Sequence, residues 1–219
     1  MKAVSPIRKA LPHPTIFNLL GPLASPVEAC LEARMLGVRH HTLGGVFANA
    51  LREEGVEKAL VVCGEEELDE VSCAGRTRCW MLRREEAGAV MVDQFWVEPS
   101  DFGLGRHALA EVASGQGPQE NAEILHKILR GELADNDPIL EFVLLNTAAL
   151  LVVSGVCEAE ESNMGPGDDG AVVKERGPNG QRWKEGVRRA RWAIDSGEAL
   201  RQWMAFVDST HLLLSQVAV

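Results

Sequence analysis

The chain has 219 residues, 46% of them hydrophobic and 25% charged, and its 22 Lys+Arg against 32 Asp+Glu give a formal net charge of −10. That length suits one domain, or one domain with a small appendage, and the composition supports a packed core rather than global disorder. The acidic balance excludes a broad nucleic-acid surface, which needs clustered positive charge, but leaves room for one local basic pocket for a phosphate.

In chain order, residues 1–11 are mixed and can start as a helix that Pro12 and Pro14 end. The N-terminus has no apolar core of a secretory signal, and the longest apolar stretch, 148–153, is far too short to span a bilayer. Thr15 to Leu20 is a short β-branched and aromatic run closed by Gly21-Pro22, which reads as a buried strand or extended segment entering a turn. A second short apolar run covers 35–38. The spacing of Val46, Phe47, Ala50 and Leu51 predicts a helix over 41–54, with Gly55 past its end. The apolar run 58–64 follows. A helix leading into such a strand is the unit of a parallel α/β sheet, because a strand covered on both faces can be apolar throughout.

A dense carboxylate loop, Glu65 to Glu70, stands at the C-terminal end of that strand, where open α/β sheets bind ligands. Residues 77–83 and 89–97 read as two further strands joined around Gly88, and 99–103 as a turn. A helix is expected over 118–130. Asp137 as N-cap and Pro138 at the first helical position open another, which runs to about Ser154 and is apolar nearly all round, hence buried. Segment 157–181 is rich in glycine, proline and carboxylates and reads as an exposed, flexible loop whose spacing matches no EF-hand. The tail 183–211 is helical, with a break at Ser196-Gly197, and its large aromatics read as core.

Three constellations can carry chemistry. Asp69 and Glu70 are adjacent hard carboxylates, which suit Mg²⁺ together with water and phosphate oxygens; on their own they equally suit a solvated acidic loop. Arg8, beside Lys9, can hold a carboxylate or phosphate through a bidentate fork, or can be surface charge at a helix end. The stretch TIFNLLGPLASP offers a rigid, partly apolar wall around Pro22, and Asn18, a polar residue within it, needs a hydrogen-bond partner if buried. His40-His41 reads as surface or capping histidines rather than a metal pair, since neighbours do not share a helix face. The five cysteines are odd in number and include no CxxC, so reduced thiols in a cytoplasmic protein are expected. No GxSxG, HExxH or Walker pattern is present.

In their order, IRKALPHPTIFNLLGPLASP, GEEELDEVS and LNTAALLV resemble the C-terminal part of the anthranilate phosphoribosyltransferase family, with a fungal cast to the 157–181 loop and the tail. The resemblance implies an α/β fold, the C-terminal portion of a nucleoside-phosphorylase-like phosphoribosyltransferase domain with a mixed sheet flanked by helices. It implies transfer of phosphoribose from phosphoribosyl pyrophosphate to the amino group of anthranilate in tryptophan biosynthesis, with Mg²⁺ as cofactor and a homodimer in the complete enzyme. Carried over by position, Arg8 meets the anthranilate carboxylate, Pro22 and Asn18 belong to the substrate site, and Asp69 and Glu70 bind Mg²⁺. No protein nucleophile is implied. Pro14 stands where the family has arginine, Pro12 where it has glycine and Ser25 where it has asparagine. The family's GTGGD phosphate loop is absent from the 219 residues, so a truncated product, a fragment or a misassigned start is expected, with little turnover by the chain alone. The rival readings are a pyrimidine nucleoside phosphorylase and a non-catalytic binding or regulatory module.

Overall fold

The structure, a computed structural model, describes residues 23, 31–85, 88–113, 115 and 117–217. Arg8, Asn18, Pro22, the TIFNLL run and Cys30 lie outside the described residues.

Strand β1 (Arg34–Gly37) runs parallel to β2 (Ala59–Gly64), with Arg34 opposite Ala59, and helix α1 (His41–Glu53) connects them. This is the helix–strand unit expected from the apolar run. The next step reverses direction. β3 (Thr77–Arg84) pairs antiparallel with β2, and β4 (Val90–Val97) pairs antiparallel with β3, giving a mixed sheet in the order β1-β2-β3-β4. Among the described residues five longer helices accompany it: α1, α2 (Pro118–Leu129), α3 (Pro138–Ser154), α4 (Trp183–Asp195) and α5 (Glu198–Val217).

β2 is buried at all six positions because both of its faces are covered. Val61 and Cys63 join Phe47, Leu51 and Trp80 on the α1 side, whereas Leu60 and Val62 join Met81, Leu145, Val152 and Trp183 on the other. α1 lies close because Gly44 faces Trp80: a Cβ there would come within 2.1 Å of the indole.

α3 is the central helix of the second layer. The Asp137 side chain accepts the N–H groups of Ile139 and Leu140, Pro138 occupies the first turn, and Gly155 ends the helix at φ 92°. Leu140, Leu144, Leu145, Ala148, Ala149, Val152 and Val153 are buried, while Thr147 and Leu150 reach solvent. α4 packs on it through Gly186, whose added Cβ would meet the Ala148 carbonyl oxygen at 2.7 Å.

Segment 157–181 has no long element, only 3₁₀ turns at Val156–Glu158 and Pro178–Gly180. Its carboxylates are engaged in ion pairs rather than gathered: Glu158 with Arg176, Glu160 with Lys174 and Arg182, Asp168 with Arg188. Beneath it, Glu185 is fully buried and accepts bonds from Val173 N–H, Arg188 and Arg189. Burial pushes the Glu185 carboxyl up, yet those donors outweigh it and leave it below the usual range. Cys63, Cys73, Cys79 and Cys157 are free and buried. No helix among the described residues is long and apolar enough to cross a membrane.

Candidate functional site

The carboxylate loop leaves the C-terminal end of β2 and returns as β3. Gly64 N–H donates to Leu68 C=O (2.8 Å) and Glu67 N–H to Gly64 C=O (3.0 Å), with Glu67 at φ 60°. This tight turn presents Asp69 and Glu70 to solvent beside the end of β1. Gly37 makes that approach possible, since a Cβ on it would lie 1.6 Å from the Asp69 carbonyl oxygen.

The residues that follow are fixed to the core. Val71 N–H donates to Asn146 Oδ1 (2.9 Å) and Val71 C=O accepts from Asn146 Nδ2 (3.2 Å). Ser72, fully buried, donates its N–H to Thr77 Oγ1 (2.8 Å), and its hydroxyl oxygen accepts the N–H groups of Ala74 and Gly75. Cys73 C=O accepts His107 N–H (3.0 Å). The His107 ring lies 2.7 Å from Glu141 Oε2, which also accepts Gly105 N–H. Helix α3 therefore braces the loop twice, directly through Asn146 and through Glu141 by way of His107.

Asp69 has one weak cationic neighbour, Arg39 at 3.7 Å, with both side chains exposed. Glu70 has no ion pair among the described residues. Partial desolvation, then the neighbouring Asp69 charge, raise the Glu70 carboxyl above its usual range. Two exposed hard carboxylates with a single weak ion pair between them, on a fixed backbone, fit the share of a Mg²⁺ shell that protein commonly provides, the rest being water and phosphate oxygens. A self-sufficient protein cage is not built: among the described residues no group of three or more His, Cys, Asp or Glu is placed to hold a metal.

The remaining sequence candidates resolve differently. His40 is the N-cap of α1, with Nδ1 2.7 Å from Thr42 Oγ1 and its ring stacked on His41, so the pair is a cap and not a ligand set. Trp183 is core, packed on Phe95 and Phe102, with its indole N–H donating to Pro178 C=O. Sequence reasoning missed Asn146 and Gly37. Asn146 in LNTAALLV carries the same signal as Asn18, a polar residue in an apolar run that needs a partner.

Comparison with known proteins bears on the family and the fold. Residues 1–200 match the model of the glycosyl transferase family, a/b domain. The chain is 41% identical over 206 residues to the anthranilate phosphoribosyltransferase of Schizosaccharomyces pombe, covering 94% of this chain and 49% of that one. It is 38% identical over 218 residues to that of Saccharomyces cerevisiae, covering 97% and 50%. The solved Saccharomyces cerevisiae enzyme in complex with PRPP and Mg superposes with a TM-score of 0.74 at 36% identity, covering 95% of this chain and 51% of that one. Its complex with 4-fluoroanthranilate gives the same values. The chain spans about half the length of the curated relatives it matches. With a family model covering most of its length and a fold that superposes on solved members, the chain belongs to the glycosyl transferase family through its a/b domain.

Proposed function

We propose that the chain carries the metal-holding and anthranilate-facing half of an anthranilate phosphoribosyltransferase, which transfers phosphoribose from phosphoribosyl pyrophosphate to the amino group of anthranilate. The observation that carries this reading is the braced loop with Asp69 and Glu70 at the C-terminal edge of the sheet, in a chain similar to anthranilate phosphoribosyltransferases. Asp69 and Glu70 are the residues that would hold Mg²⁺. The chemistry the ion supplies when bound there is neutralisation of charge on the pyrophosphate oxygens. Arg8 holds the anthranilate carboxylate through its guanidinium fork, with Pro22 and Asn18 in the same substrate site. The protein offers no nucleophile, so acceleration comes from positioning and electrostatic stabilisation. A homodimer for the complete enzyme and a cytoplasmic location, in keeping with free buried thiols, belong to the same reading. The pyrimidine nucleoside phosphorylase alternative is not favoured, since the similar proteins and structures above are anthranilate phosphoribosyltransferases.

The test follows anthranilate fluorescence with phosphoribosyl pyrophosphate and Mg²⁺. It uses the chain alone and a chimera in which these 219 residues replace the matched half of the Saccharomyces cerevisiae enzyme. The chimera is expected to consume anthranilate, to need both other components, and to lose activity in Arg8→Ala. The chain alone is expected to stay below about 1 turnover per second, a slow rate for an enzyme. A folded chimera that cleaves thymidine with phosphate and leaves anthranilate untouched overturns the proposal.

A further inference from the structure

We propose that Asn146 is a positioning residue for the Asp69–Glu70 pair, acting as a two-point clamp on the peptide units that directly follow Glu70. The inference rests on the reading of Asp69 and Glu70 as metal-holding groups and assigns a role to a residue outside that pair.

The clamp is visible in the donor and acceptor count. The carboxamide offers an acceptor oxygen and two N–H donors. Its oxygen takes the Val71 N–H at 2.9 Å, one N–H goes to Val71 C=O at 3.2 Å, and Nδ2 also reaches Phe142 C=O at 3.2 Å. Both main-chain polar groups of Val71 are thus satisfied by one side chain lying 75 residues away in sequence. The third contact ties that side chain to its own helix and fixes its rotamer. α3 is among the most buried elements of the molecule, so the clamp is mounted on a rigid support.

The consequence reaches Glu70 through one peptide bond. Val71 is fully buried and Ser72 after it is fully buried and bonded to Thr77, so the backbone beyond Glu70 has no freedom. Before Asp69 the exposed turn 65–67 is held by its own backbone bonds, Glu65 N–H to Arg76 C=O and Glu67 N–H to Gly64 C=O, and not by a side chain from another layer. The two carboxylates project between that turn and the Asn146 anchor. Removing the clamp frees the anchored side, and ordering both carboxylates on a cation then costs the conformational entropy that the clamp removes in advance. Supporting residues of this kind commonly change metal affinity by about 10–100-fold.

The experiment uses the 219-residue chain and Mn²⁺ as the probe, read by paramagnetic broadening of the backbone amide signals of residues 68–72. In the original chain those signals broaden as Mn²⁺ is added, and Asp69→Ala removes the effect. Asn146→Ala is expected to raise the Mn²⁺ concentration needed by about 10–100-fold, and to speed hydrogen exchange at Val71. Asn146→Asp keeps the shape and the acceptor but loses the donor, so it also binds more weakly while keeping the helix packed. Val152→Ala, which weakens the same helix about two turns from Asn146 and beside Met81 and Leu82, leaves Mn²⁺ binding unchanged. If the original chain shows no Asp69-dependent broadening, the metal reading fails and this inference with it. If it does, and both Asn146 variants bind Mn²⁺ as the original does, the positioning role alone is overturned.

Discussion

Gly37→Ala is the sharpest perturbation the structure offers, because one methyl group couples β1 to the carboxylate loop. The added Cβ would lie 1.6 Å from the Asp69 carbonyl oxygen, 2.3 Å from its carbonyl carbon and 2.8 Å from its Cα. Ordinary contact begins at 3.4 Å, so one side has to retreat by about 1.8 Å. Gly37 cannot easily do so: it is in register with Val62, and Val38 N–H donates to Val62 C=O at 2.9 Å. The loop yields instead, against the anchor at Val71. Overpacking of this kind costs about 1–3 kcal/mol. For a chain of this size that is a fall of about 2–12 °C in the unfolding midpoint. Displacing Asp69 by more than 1 Å is expected to weaken Mn²⁺ binding by about 10–100-fold. The assays are thermal unfolding followed by circular dichroism and the amide-broadening titration. Gly45→Ala is the control, since its Cβ finds Trp80 no nearer than 3.7 Å and alanine favours a helix interior; it should be neutral or stabilising by up to about 1 kcal/mol. A Gly37→Ala chain with an unchanged midpoint and unchanged Mn²⁺ binding would show that β1 does not hold the carboxylate loop in place.

Glu185→Leu leaves Arg188, Arg189 and the Val173 N–H without their shared acceptor, and breaking a buried ion pair on one side costs about 3–5 kcal/mol; urea unfolding should show an earlier midpoint at unchanged slope. The acid limb should be steep. Met164 N–H and the Ser162 hydroxyl, then Arg188, hold Asp168 at about 2, and Lys174 with Arg182 holds Glu160 at about 2. Both lie below the unfolded carboxyl values of about 4, so the stability they contribute is present above about pH 4 and is lost as pH falls towards 2. Melting temperatures recorded from pH 6 to pH 2 should show that loss, and Asp168→Asn should flatten part of it. Burial raises the Cys79 thiol, and burial pushes Cys157 up to about 12. A maleimide should therefore label none of Cys63, Cys73, Cys79 or Cys157 in the native protein and all four after unfolding, as read by peptide mass mapping.

Much of the fold is local and was legible. The apolar run 58–64 specifies a strand covered on both faces, Asp137-Pro138 specifies the start of α3, and Ser196-Gly197 separates α4 from α5. The reversal between β2 and β3 was not, since nothing in either strand's apolar pattern encodes the direction of its neighbour. The acidic character of 157–181 was visible but its chemistry was not, because Arg182 and Arg188, which occupy Glu160 and Asp168, stand 20 or more residues away. At the candidate site, Asp69 and Glu70 stand out by residue type and by resemblance. Gly37 acts through a close approach to a residue remote in sequence, which spacing hides, whereas Asn146 stands out as a polar residue in an apolar run and only its partner, 75 residues away, is hidden.

The most direct measurement of the central claim compares the chimera carrying these 219 residues with its Asp69→Asn form, following anthranilate consumption while Mg²⁺ is titrated at fixed phosphoribosyl pyrophosphate. Asparagine keeps the shape of the side chain and removes the charge. A loss of about 100-fold or more in rate, about 2.7 kcal/mol, partly relieved by raising Mg²⁺, is the predicted result. Equal rates and equal Mg²⁺ dependence in the two proteins would contradict the claim that this loop holds the metal.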